Sequence, residues 1–120
     1  MIGDMQKWTP NVAGIIEHAK EIHPKTEIIS RLVSGEVHRS NYETVCIRSR
    51  KLASALEQDG IKKGDVVATL ALNTYRHLEM YYGISGMGAI THTLNFRLHP
   101  EQAVYIINHA EDKIIFVELP

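Results

Sequence analysis

Val66-Val67-Ala68-Thr69-Leu70-Ala71-Leu72 is an unbroken apolar run of strand length, and the Lys63-Gly64-Asp65 turn stands directly before it. An apolar run without alternation reads as a strand buried on both faces, the pattern of a parallel sheet covered on both sides. Downstream, Thr74 to Met87 reads as a helix and Ala89 to Leu94 as a short strand. Pro100 suits the first turn of a further helix, ending near Ala110, with Ala103, Ile106, Ile107 and Ala110 inward. Ile114 to Val117 is the last strand. Strand–helix–strand–helix–strand with short links predicts a parallel sheet built by right-handed crossovers. The expected class is α/β: part of a doubly wound parallel sheet with flanking helices.

Working back from that core, a helix and a β-hairpin come first. Val12, Ile15, Ile16 and Ala19 fall at helical spacing, Asn11 is placed to cap, and Pro24 ends the run. Glu27 to Val33 reads as a strand, Ser34-Gly35 as the turn and Glu36 to Arg39 as the returning strand. A capping box at Ser40-Asn41-Tyr42-Glu43 opens the next helix. Tyr42, Val45, Cys46, Ser49, Leu52, Ala53 and Leu56 trace its inner face, and Gly60 closes it. Residues 1–62 are thus expected to form a helix, hairpin and helix, and residues 63–120 a βαβαβ unit.

The chain has 120 residues, room for one compact domain. Its formal charge of −1 lacks the basic stripe of a nucleic-acid binder, and Arg48, Arg50 and Lys51 read as a solvated helix face. A single cysteine, Cys46, can form no internal disulfide, and its place on the apolar stripe makes it a small buried hydrophobe. No segment reaches the ~18 apolar residues of a membrane span. Met1 to Trp8 carries no secretory signal, so the expected location is cytoplasmic.

The helix at Thr74 to Met87 is apolar on two sides, Leu78, Tyr81 and Tyr82 on one and Met80, Ile84 and Met87 on the other. Such a helix needs cover on both sides, whereas one sheet covers only one. The sequence therefore predicts a missing layer or self-association through Met80, Ile84 and Met87. The stop at Glu118-Leu119-Pro120, directly after a strand, points the same way.

Few residues are arranged for chemistry. His18, His23, His38, His77, His92, His99 and His109 include no pair at i, i+4 spacing, and there is no CxxC, so no metal site is expected. His38 is expected to face water. Gly83, Gly86 and Gly88 run in the order GxxGxG at the end of a helix, where carbonyls point outward; a phosphate loop needs the amides of a helix start. They read as close helix–sheet packing, with Gly88 as the stop. No GxSxG elbow and no paired carboxylates are present. Ligand-site logic remains only at the rim beyond the strands' carboxyl ends, where Asn73, Arg76, His77, Asn95 and Arg97 stand; cap and loop preferences account for the same residues.

Two stretches carry a resemblance. Gly64 to Leu70 with Arg76-His77-Leu78-Glu79, and Ser85-Gly86-Met87-Gly88-Ala89-Ile90-Thr91-His92-Thr93-Leu94-Asn95, resemble the bacterial fatty-acyl-CoA ligases of the AMP-dependent adenylate-forming superfamily. Arg97 to Gln102 and Tyr105 to Lys113 continue in the manner of the medium- and long-chain subgroup. Asn41-Tyr42-Glu43-Thr44-Val45 resembles a degraded first core motif, in whose register Asn41 and not Ser40 would be the cap. Phe96 departs from the proline common in relatives. The resemblance spans about Ile28 to Val117 and implies the N-terminal part of an enzyme that joins a fatty or related acid to CoA through an acyl-adenylate. It also implies ATP, Mg²⁺ and CoA as the parent's cofactors, and the rest of the ligase chain as partner. The phosphate loop and the lysine of a mobile C-terminal domain that such chemistry needs match nothing here, so no catalytic residue is assigned and the isolated chain is expected to be inactive. A stand-alone binding or oligomerisation module derived from such a ligase is the second reading; an unrelated flavodoxin-like binding domain is a weaker third.

Overall fold

The computed structural model describes Gly3 and residues 11–118. Apart from Gly3, the expectations for Met1 to Trp8, Pro10, Leu119 and Pro120 lie outside the described residues.

The elements run α1 (Val12–Ile22), β1 (Glu27–Arg31), β2 (Val37–Asn41), α2 (Tyr42–Gln58), β3 (Val66–Leu70), α3 (Tyr75–Gly86), β4 (Ile90–Thr93), α4 (Pro100–Ala110) and β5 (Ile114–Val117). Strands β1 and β2 pair antiparallel, Glu27 opposite Asn41 and Arg31 opposite Val37. The other three form a parallel sheet in the order β4-β3-β5. The apolar run at Val66 is its central strand, with Val67, Ala68 and Thr69 fully buried. The chain moves one way to reach β4, then back past β3 to reach β5. Right-handed crossovers therefore set α3 on one face and α4 on the other, the doubly wound arrangement expected.

Helix α3 is the centre of the molecule. One of its sides carries Met80, Ile84 and Met87 onto Leu56, Ile61, Val67, Ile114 and Phe116. The other carries Leu78 and Tyr82 onto Ile16, Val45 and Cys46 of α1 and α2. The sheet and the later part of α2 cover the first side, and α1 and α2 cover Leu78 and Tyr82 on the other, where Tyr81 stays 42% exposed. The expected self-association patch at Met80, Ile84 and Met87 is corrected accordingly: Ile84 is 0% exposed and the two methionines are partly buried against the same core. The uncovered apolar surface lies elsewhere. Ile90, Ile115, Val117, Val104 and Tyr105, on the edge strands and α4, are each at least 39% exposed, and α4 buries no residue completely.

Other local expectations are revised by packing. Helix α1 turns Ile16 inward but leaves Val12 and Ile15 exposed, so its inner stripe runs through Ala13, Ile16 and Glu17. The α2 cap is Asn41, whose Oδ1 accepts from the Thr44 amide at 2.9 Å. Ser40 is not the cap, and its buried hydroxyl has no partner among the described residues. Gly83 packs on α2 rather than on the sheet: a Cβ there would meet the Ser49 carbonyl oxygen at 2.9 Å. Gly86 faces Ala13 of α1. Gly88 does follow the helix end in the left-handed region, φ +89°.

Candidate functional site

The rim at the carboxyl ends of β3 and β5 is built from three side chains. Thr74 caps α3 in extended conformation, yet its hydroxyl does not bond the helix; it donates to the Glu118 carboxylate at 3.0 and 3.1 Å. Arg76, the second residue of α3, reaches the same carboxylate at 3.3 Å and lays its guanidinium over the Tyr75 ring, 4.8 Å from the centroid. Glu118 is held there because its amide extends the parallel ladder to the Leu70 carbonyl, 3.1 Å. A carboxylate taken by a hydroxyl and a guanidinium is a closed knot between β5 and α3 rather than an open anion or substrate receptor.

His77 withdraws from the rim. It is 8% exposed, with Nε2 3.0 Å from the buried Thr69 hydroxyl and its ring tilted against Tyr81 at 5.3 Å. Asn73 is exposed and lines a cleft of about 360 Å³ between β1 and α3 with Ile28, Ser30, Thr74 and Tyr81. On the other loop, Asn95 Oδ1 accepts from the Arg97 amide at 2.9 Å, and the Arg97 guanidinium sits 5.6 Å from the exposed Phe96 ring. Of the five rim residues, Arg76 joins the knot, His77 joins the core, Asn73 borders the hairpin, and Asn95 and Arg97 shape their own turn. Glu118, around which the knot forms, was legible only as a strand end.

The basic triplet of α2 is also less plain than a solvated face. Arg50 makes a two-pronged pair with Glu17 of α1, 2.8 and 2.5 Å. Its hydrogen bonds hold the Glu17 carboxyl below the ordinary glutamate range, against an opposing effect of burial. Arg48 Nε donates to Glu79 Oε1 at 2.6 Å, pinning a glutamate that is only 7% exposed. Cys46 is 1% exposed, and burial, reinforced by the neighbouring Glu17 charge, pushes its thiol up. Such a thiol is a poor nucleophile at neutral pH.

His38, His77, His92 and His109 are taken up by stacking or hydrogen bonds, whereas His18, His23 and His99 are exposed. His38 faces inward and stacks on Tyr75, centroids 3.6 Å apart, correcting its expected exposure. His92 Nδ1 meets the Asp112 carboxylate at 2.9 and 3.0 Å, and His109 stacks on Tyr105. Among the described residues no three His, Cys, Asp or Glu side chains converge as a metal site. Nor do these residues fit ATP, since Gly83 and Gly86 sit within α3 against α2 and α1, and Gly88 follows the helix's carbonyl end beside Lys63.

Against this geometry, the family model described as AMP-binding enzyme matches residues 16–119. The chain belongs to the AMP-binding enzyme family. It is 46% identical over 118 residues to the medium-chain-fatty-acid–CoA ligase of Ectopseudomonas oleovorans, covering 98% of this chain and 22% of that protein. Identity is 45% over 108 residues with the long-chain-fatty-acid–CoA ligase of Thermus thermophilus, covering 90% of this chain and 20% of that one. A 3-methylmercaptopropionyl-CoA ligase of Ruegeria lacuscaerulensis is 43% identical over 98% of this chain and 22% of its own length. The N-terminal domain of FACL13 from Mycobacterium tuberculosis superposes with a TM-score of 0.82 at 22% identity, over 91% of this chain and 27% of that one. This AMP-binding family chain therefore spans about a fifth of the curated relatives it matches.

Proposed function

We propose that this chain is the N-terminal portion of an ATP-dependent acyl-CoA ligase that converts a fatty or related carboxylic acid to its CoA thioester through an acyl-adenylate. The supporting observation is the 46% identity to a fatty-acid–CoA ligase along 98% of the chain. On this reading residues 1–62 and 63–120 are successive parts of the large ligase domain, whose partner is the rest of the ligase. ATP, Mg²⁺ and CoA are then held by segments other than this one, and the work is cytoplasmic lipid metabolism. No helix among the described residues is long and apolar enough to cross a membrane. The 120 residues contribute scaffold, not chemistry.

Two assays test this together. A ligase carrying this segment at its N-terminus, supplied with Mg-ATP, CoA and a panel of aliphatic and methylthio acids, is expected to release AMP and pyrophosphate and form the thioester. The 120-residue chain alone is expected to form none. Absence of thioester with every acid would refute the acid–CoA ligase reading, and turnover by the chain alone would refute the scaffold role.

A further inference from the structure

Helices α1, α2 and α3 leave a cavity of about 300 Å³ between them. It lies beside Tyr82 and Met87, at the opposite end of α3 from the Thr74–Arg76–Glu118 knot. The cavity follows from side-chain size, since Ala13, Ala53 and Gly86 line it and small residues do not fill the space where three helices meet. Ile16, Tyr82 and Met87 add larger apolar surface. One polar group in the wall has no role in the fold. Ser49 is 3% exposed and lines the cavity, yet its hydroxyl has no hydrogen-bond partner among the described residues. A mid-helix serine ordinarily bonds back to the carbonyl four residues earlier or turns out to solvent. Ser49 does neither, and a buried hydroxyl left unsatisfied is destabilising. The charges of the lining are already matched or screened. Glu17 accepts from two nitrogens of Arg50 and from the Cys46 thiol. Glu57 is exposed to solvent, where it disfavours an anion and holds a cation only weakly.

We propose that this cavity binds a small neutral molecule of the phenol type, its hydroxyl bonded to Ser49 and its apolar ring packed on Ile16, Ala53, Tyr82 and Met87. Each part of the ligand has its complement. The Ser49 hydroxyl donates or accepts as the ligand requires. A ring gains from leaving water and from offset packing against Tyr82. Water by itself satisfies the hydroxyl but needs two to four polar partners, which an apolar wall does not supply. The volume is at the small end of the roughly 300–1,000 Å³ typical of small-molecule sites, which suits a single ring. A neutral phenol has no carboxylate to activate, so the inference stands apart from the ligase reading.

Three probes share one body: p-cresol, toluene without the hydroxyl, and p-toluate with a carboxylate in its place. Titrated into the 120-residue chain with labelled methionine methyls, p-cresol is expected to shift Met87 saturably and to leave Met80 in place. Toluene should bind about three- to tenfold more weakly, the worth of one neutral hydrogen bond, and p-toluate at least about tenfold more weakly. Ser49→Ala should remove the preference for p-cresol over toluene, whereas a merely structural effect would weaken both alike. Ala53→Leu, which fills the cavity, should abolish binding of both. The same Ser49-dependent binding is expected in a ligase carrying this segment. The proposal fails if p-cresol does not saturate, if toluene or p-toluate binds as tightly, or if Ser49→Ala keeps the preference. It fails equally if Ala53→Leu with an unchanged thermal midpoint still binds, or if the ligase carrying the segment does not.

Discussion

Gly83 shows how one position decides the approach of two helices. Glycine in a helix interior ordinarily costs about 1 kcal/mol relative to alanine, so Gly83→Ala would stabilise an isolated α3. Here the new Cβ would meet the Ser49 carbonyl oxygen at 2.9 Å and Leu52 carbons at 3.1 and 3.3 Å. Backbone cannot swing aside, so the packing penalty of about 1–3 kcal/mol outweighs the propensity gain. Urea unfolding of Gly83→Ala should show a net loss of stability; a gain would mean that α2 and α3 are not so closely seated. Glu17 offers a pH test at the same scale. Its folded pKa is depressed by Arg50, so its contribution is present above the ordinary glutamate range, about 4.3, and is lost as pH falls through the folded value. Because the pair is partly exposed, its worth is about 0.2–1 kcal/mol. The stability difference between the parent and Glu17→Gln should shrink between pH 6 and pH 3 as the carboxylate is protonated, and a constant difference would contradict the pairing.

At the level of elements, α2 distinguishes two cap assignments that the letters alone left a residue apart. Asn41 accepts from the Thr44 amide, whereas Ser40 hides a hydroxyl with no partner. Asn41→Ala is expected to cost about 0.5–2 kcal/mol. Ser40→Ala should be neutral or stabilising, because it removes an unsatisfied buried group. Thermal melts of the two variants decide it, and the reverse ranking would restore Ser40 as the cap. Most strands and helices were legible to within a few residues because their apolar runs and turn residues are strong. The faces were less legible: Ile15 and Ile16 are equally apolar, but only Ile16 meets Val45 and Cys46. Periodicity gives a stripe, and only the neighbouring helix selects its centre.

For the molecule as a whole, the sheet has a covered face and a sparsely covered one. The α3 face holds the main core; on the other, α4 leaves Ile115 and Val117 at 39% and 54% exposure. The sequence placed uncovered apolar surface on α3, whereas the exposed apolar side chains lie on the edge strands and α4. This scale also carries the nucleotide prediction. A triphosphate requires several convergent N–H and cationic donors. Here Arg76 is tied to Glu118, Arg50 to Glu17 and Arg48 to Glu79. Calorimetric titration of the 120-residue chain with Mg-ATP is expected to show no binding in the low micromolar range; a dissociation constant there would contradict this account.

The sequence by itself determined the order and type of the elements, the buried central strand at Val66, the parallel winding and the family. Each rests on local pattern: apolar runs, caps, turn glycines and contiguous matching stretches. Only the tertiary structure decided where Arg76, His77 and Glu118 go, which side of α3 is covered, and that Arg48 and Arg50 hold partners. The ion pairs among them join residues 31 to 42 positions apart in the chain, as Arg48–Glu79, Arg50–Glu17 and Arg76–Glu118 are, whereas His77 meets Thr69 only eight positions away. No local window contains both members of such an ion pair, so their meeting is fixed by how helices and strands pack.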